Sequence, residues 1–403
     1  MSGCAGRAGD HGAVDPRTAL VRAGVGTDTA HGAVIPPLHL STTFTFEGLG
    51  MPRRYDYTRS GNPTRDVAAE AVADLEGGAG AVLTASGMAA VTTVLQLLEP
   101  GDLLVAAHDA YGGTDRLISA LAARGAFEVV WADLTDPASR DAALARGPRM
   151  VWVETPSNPL LRITDLRAVV EGARRHGAIV VADNTFLSPA NQRPLALGAD
   201  VVVHSTTKYL NGHSDMVGGA VVCAEAALHE RLAWWANCLG VTGAPFDAWL
   251  LMRGLRTLHA RIRQHEENAE RVAAALTRHP AVRRSYWPGL PDHPGHDVAR
   301  TQQTGWGGML SFELRGGREA VAAFLDGLRH VSLAESLGGV ESLVAHPATM
   351  THASMTPEAR ARAGIGDALL RMSVGIEAPD DLVADVVAGL DRAEVAALAG
   401  VGS

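Results

Sequence analysis

Between Thr64 and Cys223, helical stretches alternate with short apolar runs: DLLVAA, FEVVWA, MVWVE, AIVVAD and DVVVHS. Runs apolar at nearly every position suit strands covered on both faces, and strands separated by helices pair in parallel through crossovers. The alternation therefore predicts an α/β region, a mainly parallel sheet flanked by helices. Ahead of it, Asp15-Pro16 reads as a helix cap followed by a first-turn proline, opening a short helix through about Val25. From Ala33 to Phe46, prolines and the STTFTF run suggest an extended arm of the kind that reaches a partner subunit. Helical patterns around Leu228 to Trp235 and Phe246 to Leu258 lead into a third region from about Gln264. There RRSYWP, MLSFEL and LRMSVGIE read as strands, and Arg318 to Leu328 and Asp380 to Leu398 as helices. The expected division is a tail and arm over 1–63, a large domain over 64–263 and a smaller α+β domain over 264–403.

Composition narrows the function. A chain of 403 residues, 47% hydrophobic and 20% charged, is long enough for a large core and excludes a miniprotein or a disordered segment. No stretch approaches the roughly 18 unbroken apolar residues of a membrane span. The opening MSGCAGRAGDHGAV has no basic start followed by an apolar run, so it reads as a tail without a secretion signal and the cytoplasm is the expected compartment. A net charge of -9 argues against a nucleic-acid surface and leaves anions to a few local arginines. Cys4, Cys223 and Cys238 show no paired spacing, as expected of reduced thiols. His204 and His213 lie nine apart with no cysteine between them, so no metal site is expected.

Among 35 basic residues there is a single lysine, Lys208. Arginine can replace lysine wherever only a charge or a long stem is needed. It cannot replace a nucleophilic amine, because a guanidinium stays protonated and does not condense with an aldehyde. Lys208 therefore reads as a chemical requirement, with a chance surface residue as the alternative.

In a doubly wound sheet, ligands sit beyond the carboxyl ends of the strands. AIVVAD ends at Asp183, DVVVH leads into Ser205, Thr206, Thr207 and Lys208, and MVWVE leads into TPSNP. Ser86-Gly87-Met88 precedes the helical run AAVTTVLQLL, a helix N-terminus able to seat a phosphate or simply a capped helix. An amine, a phosphate seat and a strand-end carboxylate together meet the needs of pyridoxal 5'-phosphate (PLP). Alone, Asp183 reads equally well as a turn cap.

The segment STTKYLNGHSD at 205–215 resembles the lysine motif of the cysteine and methionine metabolism (trans-sulfuration) family of fold type I PLP-dependent transferases. DYTRSGNPTR (56–65), LEGGAGAV (75–82), AYGGT (110–114), ETPSNPL (154–160) and LAESLGGVESL (333–343) are similar to the same family, so the likeness runs over nearly the whole chain after the tail. LAWWAN (232–237) and GVTG (240–243) resemble its bacterial γ-synthases. The resemblance implies a mainly parallel seven-stranded sheet with an N-terminal arm, and a homotetramer, a dimer of dimers, with active sites shared between subunits.

By the same resemblance, Lys208 would carry the cofactor and then shuttle protons, Asp183 would pair with the pyridine nitrogen, and Tyr111 would stack on the ring and assist proton transfer. Gly87, Met88, Ser205 and Thr207 would hold the phosphate, joined by Tyr57 and Arg59 from a neighbouring subunit. Arg371 would grip the substrate α-carboxylate, with Asn158 and Ser336 orienting cofactor and substrate. Read without the family, Tyr111 is equally an ordinary half-buried aromatic and Arg371 an ion-pair member. Arg116 would meet a distal succinyl carboxylate or lie on the surface. Glu335 occurs in synthases and lyases alike.

The implied reaction is γ-replacement: O-succinylhomoserine, or another O-acylhomoserine, plus L-cysteine gives L-cystathionine and the free acid. Enteric synthases of the family carry a second arginine after the position of Arg59, where this chain has Ser60, so acetyl or phosphoryl esters stay open. Gly113 stands where methionine γ-lyases tend to place a cysteine. The rival readings are a lyase releasing cysteine, ammonia and 2-oxobutyrate from cystathionine, an O-acylhomoserine sulfhydrylase, and a cofactor-free α/β binding protein.

Overall fold

A computed structural model describes residues 14–353, 360 and 363–401. Cys4 and the rest of the tail before Val14 lie outside the described residues. The short helix at the start is Pro16–Val21, with the Asp15 carboxylate accepting from the Arg17 N–H. It stops short of Val25 because Gly24 and Gly26 take φ of +74° and +87°, a left-handed conformation that no right-handed helix contains. Ala33 to Phe46 forms neither helix nor strand; its one regular contact is a bridge from Thr43 to Tyr57, and Leu40 and Phe46 are exposed.

Seven strands build the main sheet: β1 Gly80–Thr84, β2 Leu103–Ala107, β3 Glu128–Ala132, β4 Met150–Glu154, β5 Ile179–Asp183, β6 Val201–Ser205 and β7 Gly219–Cys223. Their order is β1-β7-β6-β5-β4-β2-β3, and β7 alone runs antiparallel to its neighbours. The carboxyl ends of β1, β4, β5 and β6 therefore lie along one edge, where Thr84, Glu154, Asp183 and Ser205 end their strands.

The two-residue period of each strand divides these runs between two cores. Leu104, Ala106, Trp152, Val181 and Val203 pack with Val91 and Val94 of helix Gly87–Leu95 and Ile118 of helix Gly112–Ala123. Val105, Val151, Val153 and Val180 pack on the other face with Leu144, Val169 and Val170. Burying each Val or Leu contributes about 1.5–3 kcal/mol, which explains why these strands are apolar on both sides.

A second sheet contains β8 Val282–Tyr286, β9 Met309–Leu314, β10 Ser332–Leu333, β11 Leu343–Ala345 and β12 Leu369–Ser373, in the order β10-β11-β12-β9-β8. It is antiparallel except for β10 and β11. The helical pattern expected over Phe246 to Leu258 divides into Pro245–Leu255 and Leu258–Arg278, and the latter packs on β8 and on the long final helix Pro379–Val401. Among the described residues, no helix is long and apolar enough to cross a membrane.

Candidate active site

A cavity of about 550 Å³ opens at the carboxyl edge of the main sheet, and Arg371 of β12 reaches into it from the second sheet. Its wall includes Gly87, Met88, Tyr111, Arg116, Asn158, Asp183, Ser205, Thr207, Lys208, Glu335, Ser336 and Arg371. Twelve of the fourteen site residues expected from the sequence thus share one cavity. Tyr57 and Arg59 lie elsewhere in this subunit. Tyr57 is 48% exposed, and Arg59 sits over its ring while donating to the backbone and side-chain oxygens of Asn237 at 2.9 and 3.0 Å.

At one end, Ser86 caps the helix Gly87–Leu95 by accepting from the Ala89 N–H at 3.1 Å. The first-turn N–H groups of such a helix have no intrahelical acceptor and point at whatever lies before it. A Cβ on Gly87 would stand 2.9 Å from the Cβ of Ser205, so glycine lets the helix start close against the end of β6. Thr207 Oγ1 accepts from Gly218 N at 3.0 Å, and Ser205 N donates to Thr185 Oγ1 at 2.9 Å.

Lys208 sits in a turn held from behind by Arg261. That buried guanidinium donates to the carbonyls of Tyr209 (2.8 Å), Leu210 (3.4 Å) and Gly254 (2.9 Å) and to Thr257 Oγ1 (3.2 Å). The Lys208 amine donates to Ser336 Oγ at 2.6 Å. Burial first, and the nearby Arg371 cation second, push its pKa down to about 8, against a smaller opposing pull from Glu335. Ser336 holds φ at +84°, which is strained for a residue with a side chain and costs about 1–3 kcal/mol. In that conformation its carbonyl accepts from Arg371 Nη2 at 2.7 Å. Arg371 Nη1 donates to Asn158 Oδ1 at 3.1 Å, whereas its Nε is buried without a partner. One N–H of a buried guanidinium therefore awaits an acceptor.

Asp183, at the end of β5, accepts from Thr185 N at 2.9 Å, and burial raises its pKa. Opposite it in register on β4 stands Glu154, likewise raised by burial and by the Asp183 carboxylate. Glu154 Oε2 accepts from the Tyr111 N–H at 2.7 Å and Oε1 from Trp152 Nε1 at 3.2 Å. Tyr111 lies at the cavity wall, 43% exposed, at the start of helix Gly112–Ala123.

Glu154 and Arg261 were not anticipated. Glu154 offered the same signal as Asp183, a carboxylate closing an apolar run. The partners of Arg261 are backbone carbonyls, which no motif advertises.

PLP fits these residues. Two buried carboxylates facing each other disfavour charge unless a cation joins them, which a protonated pyridine nitrogen would do at Asp183. The cradle at Gly87 would be filled by any Cβ, and the partly neutral amine of Lys208 suits condensation with an aldehyde. Fold and cavity together define a fold type I PLP-dependent enzyme.

Comparison with known proteins takes this further. The family model for "Cys/Met metabolism PLP-dependent enzyme" matches residues 17–391. Cystathionine γ-synthase of Escherichia coli is 55% identical over 379 residues, 93% of this chain and 98% of its own length. A crystal structure of cystathionine γ-synthase from Xanthomonas oryzae pv. oryzae, in complex with aminoacrylate and cysteine, is 62% identical with a TM-score of 0.95, over 96% of this chain and 100% of that one. Cystathionine γ-lyase of Dictyostelium discoideum is 44% identical over 93% of this chain and 97% of its length. The chain belongs to the Cys/Met metabolism PLP-dependent enzyme family. It is a PLP-dependent trans-sulfuration enzyme, which sets aside the cofactor-free binding protein.

Proposed function

We propose that the protein catalyses γ-replacement: O-succinylhomoserine, or another O-acylhomoserine, plus L-cysteine gives L-cystathionine and the free acid. The observation that carries this is identity over nearly full length, 62% and 55% to two cystathionine γ-synthases against 44% to the γ-lyase named above. The Xanthomonas relative was solved with cysteine bound, which supports cysteine as the second substrate. Gly113 agrees. A Cβ there would stand 2.6 Å from Tyr111 Cε1 and 2.9 Å from Met88 Sδ, leaving no room for the cysteine of methionine γ-lyases unless the tyrosine ring moves.

When bound, PLP supplies an electron sink for charge developing on the substrate α carbon. The chain's own residues do the rest. Arg371, fixed by Asn158 and Ser336, binds the α-carboxylate through two N–H groups, geometry that a lysine ammonium does not offer. Lys208 Nζ, at a pKa of about 8, exists near neutral pH in both forms and can take protons from the α and β carbons and return them to those carbons once the cysteine sulfur has replaced the acyloxy group at the γ carbon. Tyr111 would stack on the ring, Asp183 would pair with its nitrogen, and Gly87, Met88, Ser205 and Thr207 would hold the phosphate. Arg116 and Glu335 face the distal end of the substrate.

Tyr57 and Arg59 serve this reading from a neighbouring subunit of a homotetramer. The exposed side chains of Leu40, Phe46 and Tyr57 support such an arm, within a division into arm (1–63), large domain (64–263) and smaller domain (264–403). A cytoplasmic setting suits the free thiols of Cys223 and Cys238.

The test is to incubate the PLP-loaded protein with O-succinylhomoserine and cysteine, and separately with cystathionine, following products by mass spectrometry. Cystathionine forming in the first mixture is expected. Turnover of cystathionine alone, with none in the first mixture, overturns the proposal in favour of the lyase.

A further inference from the structure

Tyr111 presents a puzzle of placement. The residue is 43% exposed, its ring lies over Gly113, and it makes no side-chain capping bond to the helix that it starts. What fixes the residue is its backbone. The N–H of Tyr111 donates to Glu154 Oε2 at 2.7 Å, joining residues 43 positions apart in sequence. The other oxygen of that carboxyl accepts from the indole of Trp152, which is wholly buried. Glu154 itself is only 6% exposed and closes β4, a central strand bonded on both sides. A carboxyl gripped at both oxygens by donors from rigid elements cannot rotate, so it transmits the position of the sheet to the start of the next helix.

The register adds a second consequence. Glu154 pairs with Asp183 across β4 and β5, and both side chains face the cavity. The two groups meant to bracket the cofactor ring, Asp183 at its nitrogen and Tyr111 on its face, are thus set by adjacent residues of one sheet edge. We propose that Glu154 is a positioning residue for the reaction, clamping the backbone of Tyr111 so that the tyrosine ring lies at a fixed height over a cofactor held by Asp183. The inference rests on the reading of Tyr111 and Asp183 given above.

The experiment uses PLP-loaded protein and a double-mutant cycle of Glu154→Gln with Tyr111→Ala. The amide keeps the size of Glu154 but offers one acceptor to two donors, so either Tyr111 or Trp152 loses its partner. Glu154→Gln should still take up PLP, because Lys208 is untouched. Its visible circular dichroism should change, reporting an altered ring environment, and kcat should fall about 10- to 100-fold with a smaller effect on KM. In the Tyr111→Ala background the same change should cost no more than about 2-fold, since the ring being positioned is gone. Fully additive effects, or a Glu154→Gln spectrum identical to the parent, would overturn the inference.

Glu154→Asp provides a second arm should the glutamine variant fold poorly. It retains the carboxyl group but withdraws it by about 1.5 Å, and full activity in it would equally refute positioning. Absence of parental turnover with any O-acylhomoserine would count against the functional reading instead, and the dichroism comparison would then decide the inference alone.

Discussion

Lys208 should be a free base far more often than an ordinary lysine, and Arg371 should be part of the cause. At pH 7 an amine with a pKa of 10.5 is neutral in about one molecule in 3,000, and one at about 8 in about one in ten, a gain of roughly 300-fold in reactive amine. Burial is the first cause and the Arg371 cation the second, while the Glu335 carboxylate favours the ammonium. Uptake of PLP by the apoprotein should therefore rise about tenfold per pH step up to about 8 and flatten beyond it. Arg371→Gln removes the cation but leaves the burial, so the inflection should move up and stop short of 10.5. Glu335→Gln should move it down. The assay is stopped-flow absorbance of cofactor uptake from about pH 6 to about pH 10, divided by the rate for a simple alkyl amine to remove the ionisations of PLP itself. A parental inflection near 10.5, or an Arg371→Gln inflection at or below the parental one, would refute the electrostatic account.

Two further outcomes test other parts of the structure. Gly113→Cys should push the Tyr111 ring off its place, because the new Cβ would meet Tyr111 Cε1 at 2.6 Å; kcat/KM should drop about tenfold or more, and unchanged kinetics would show that the ring was not fixed there. Asp385 accepts from the backbone N–H groups of Arg329, His330 and Val331, which hold its pKa below the usual carboxylate value. A lowered folded-state pKa gives stability that is complete above the unfolded value and lost as pH falls through the folded one. Asp385→Asn should therefore cost about 1–3 kcal/mol in urea unfolding at neutral pH, with the gap to the parent closing in acid. A gap that is constant with pH would contradict it.

The parts of this molecule that were legible beforehand are those whose physics is local. Strands β2 and β4 to β6 announced themselves because burial on both faces demands an apolar residue at nearly every position. Asp183 was legible because it closes such a run, and Lys208 because arginine had replaced every lysine whose chemistry a guanidinium can match. The direction of β7 was not legible, since GAVVC would serve a parallel strand as well as the antiparallel one it forms. Likewise the two-residue β10 exists only through its pairing with β11.

The site divides in the same way. Arg371 lies 163 positions beyond Lys208 in the chain, yet both bond to Ser336, the amine to its hydroxyl and the guanidinium to its carbonyl. That meeting depends on how the second sheet docks on the first, and on a strained backbone that only the finished fold can hold. Glu154 carried the same local signature as Asp183, so what distinguished it was absent from its own segment. Its role is written in the N–H of Tyr111, a backbone group that every residue but proline possesses. Side-chain chemistry can therefore be read from residue types, whereas the groups that hold that chemistry in place act through main-chain atoms and become visible only in three dimensions.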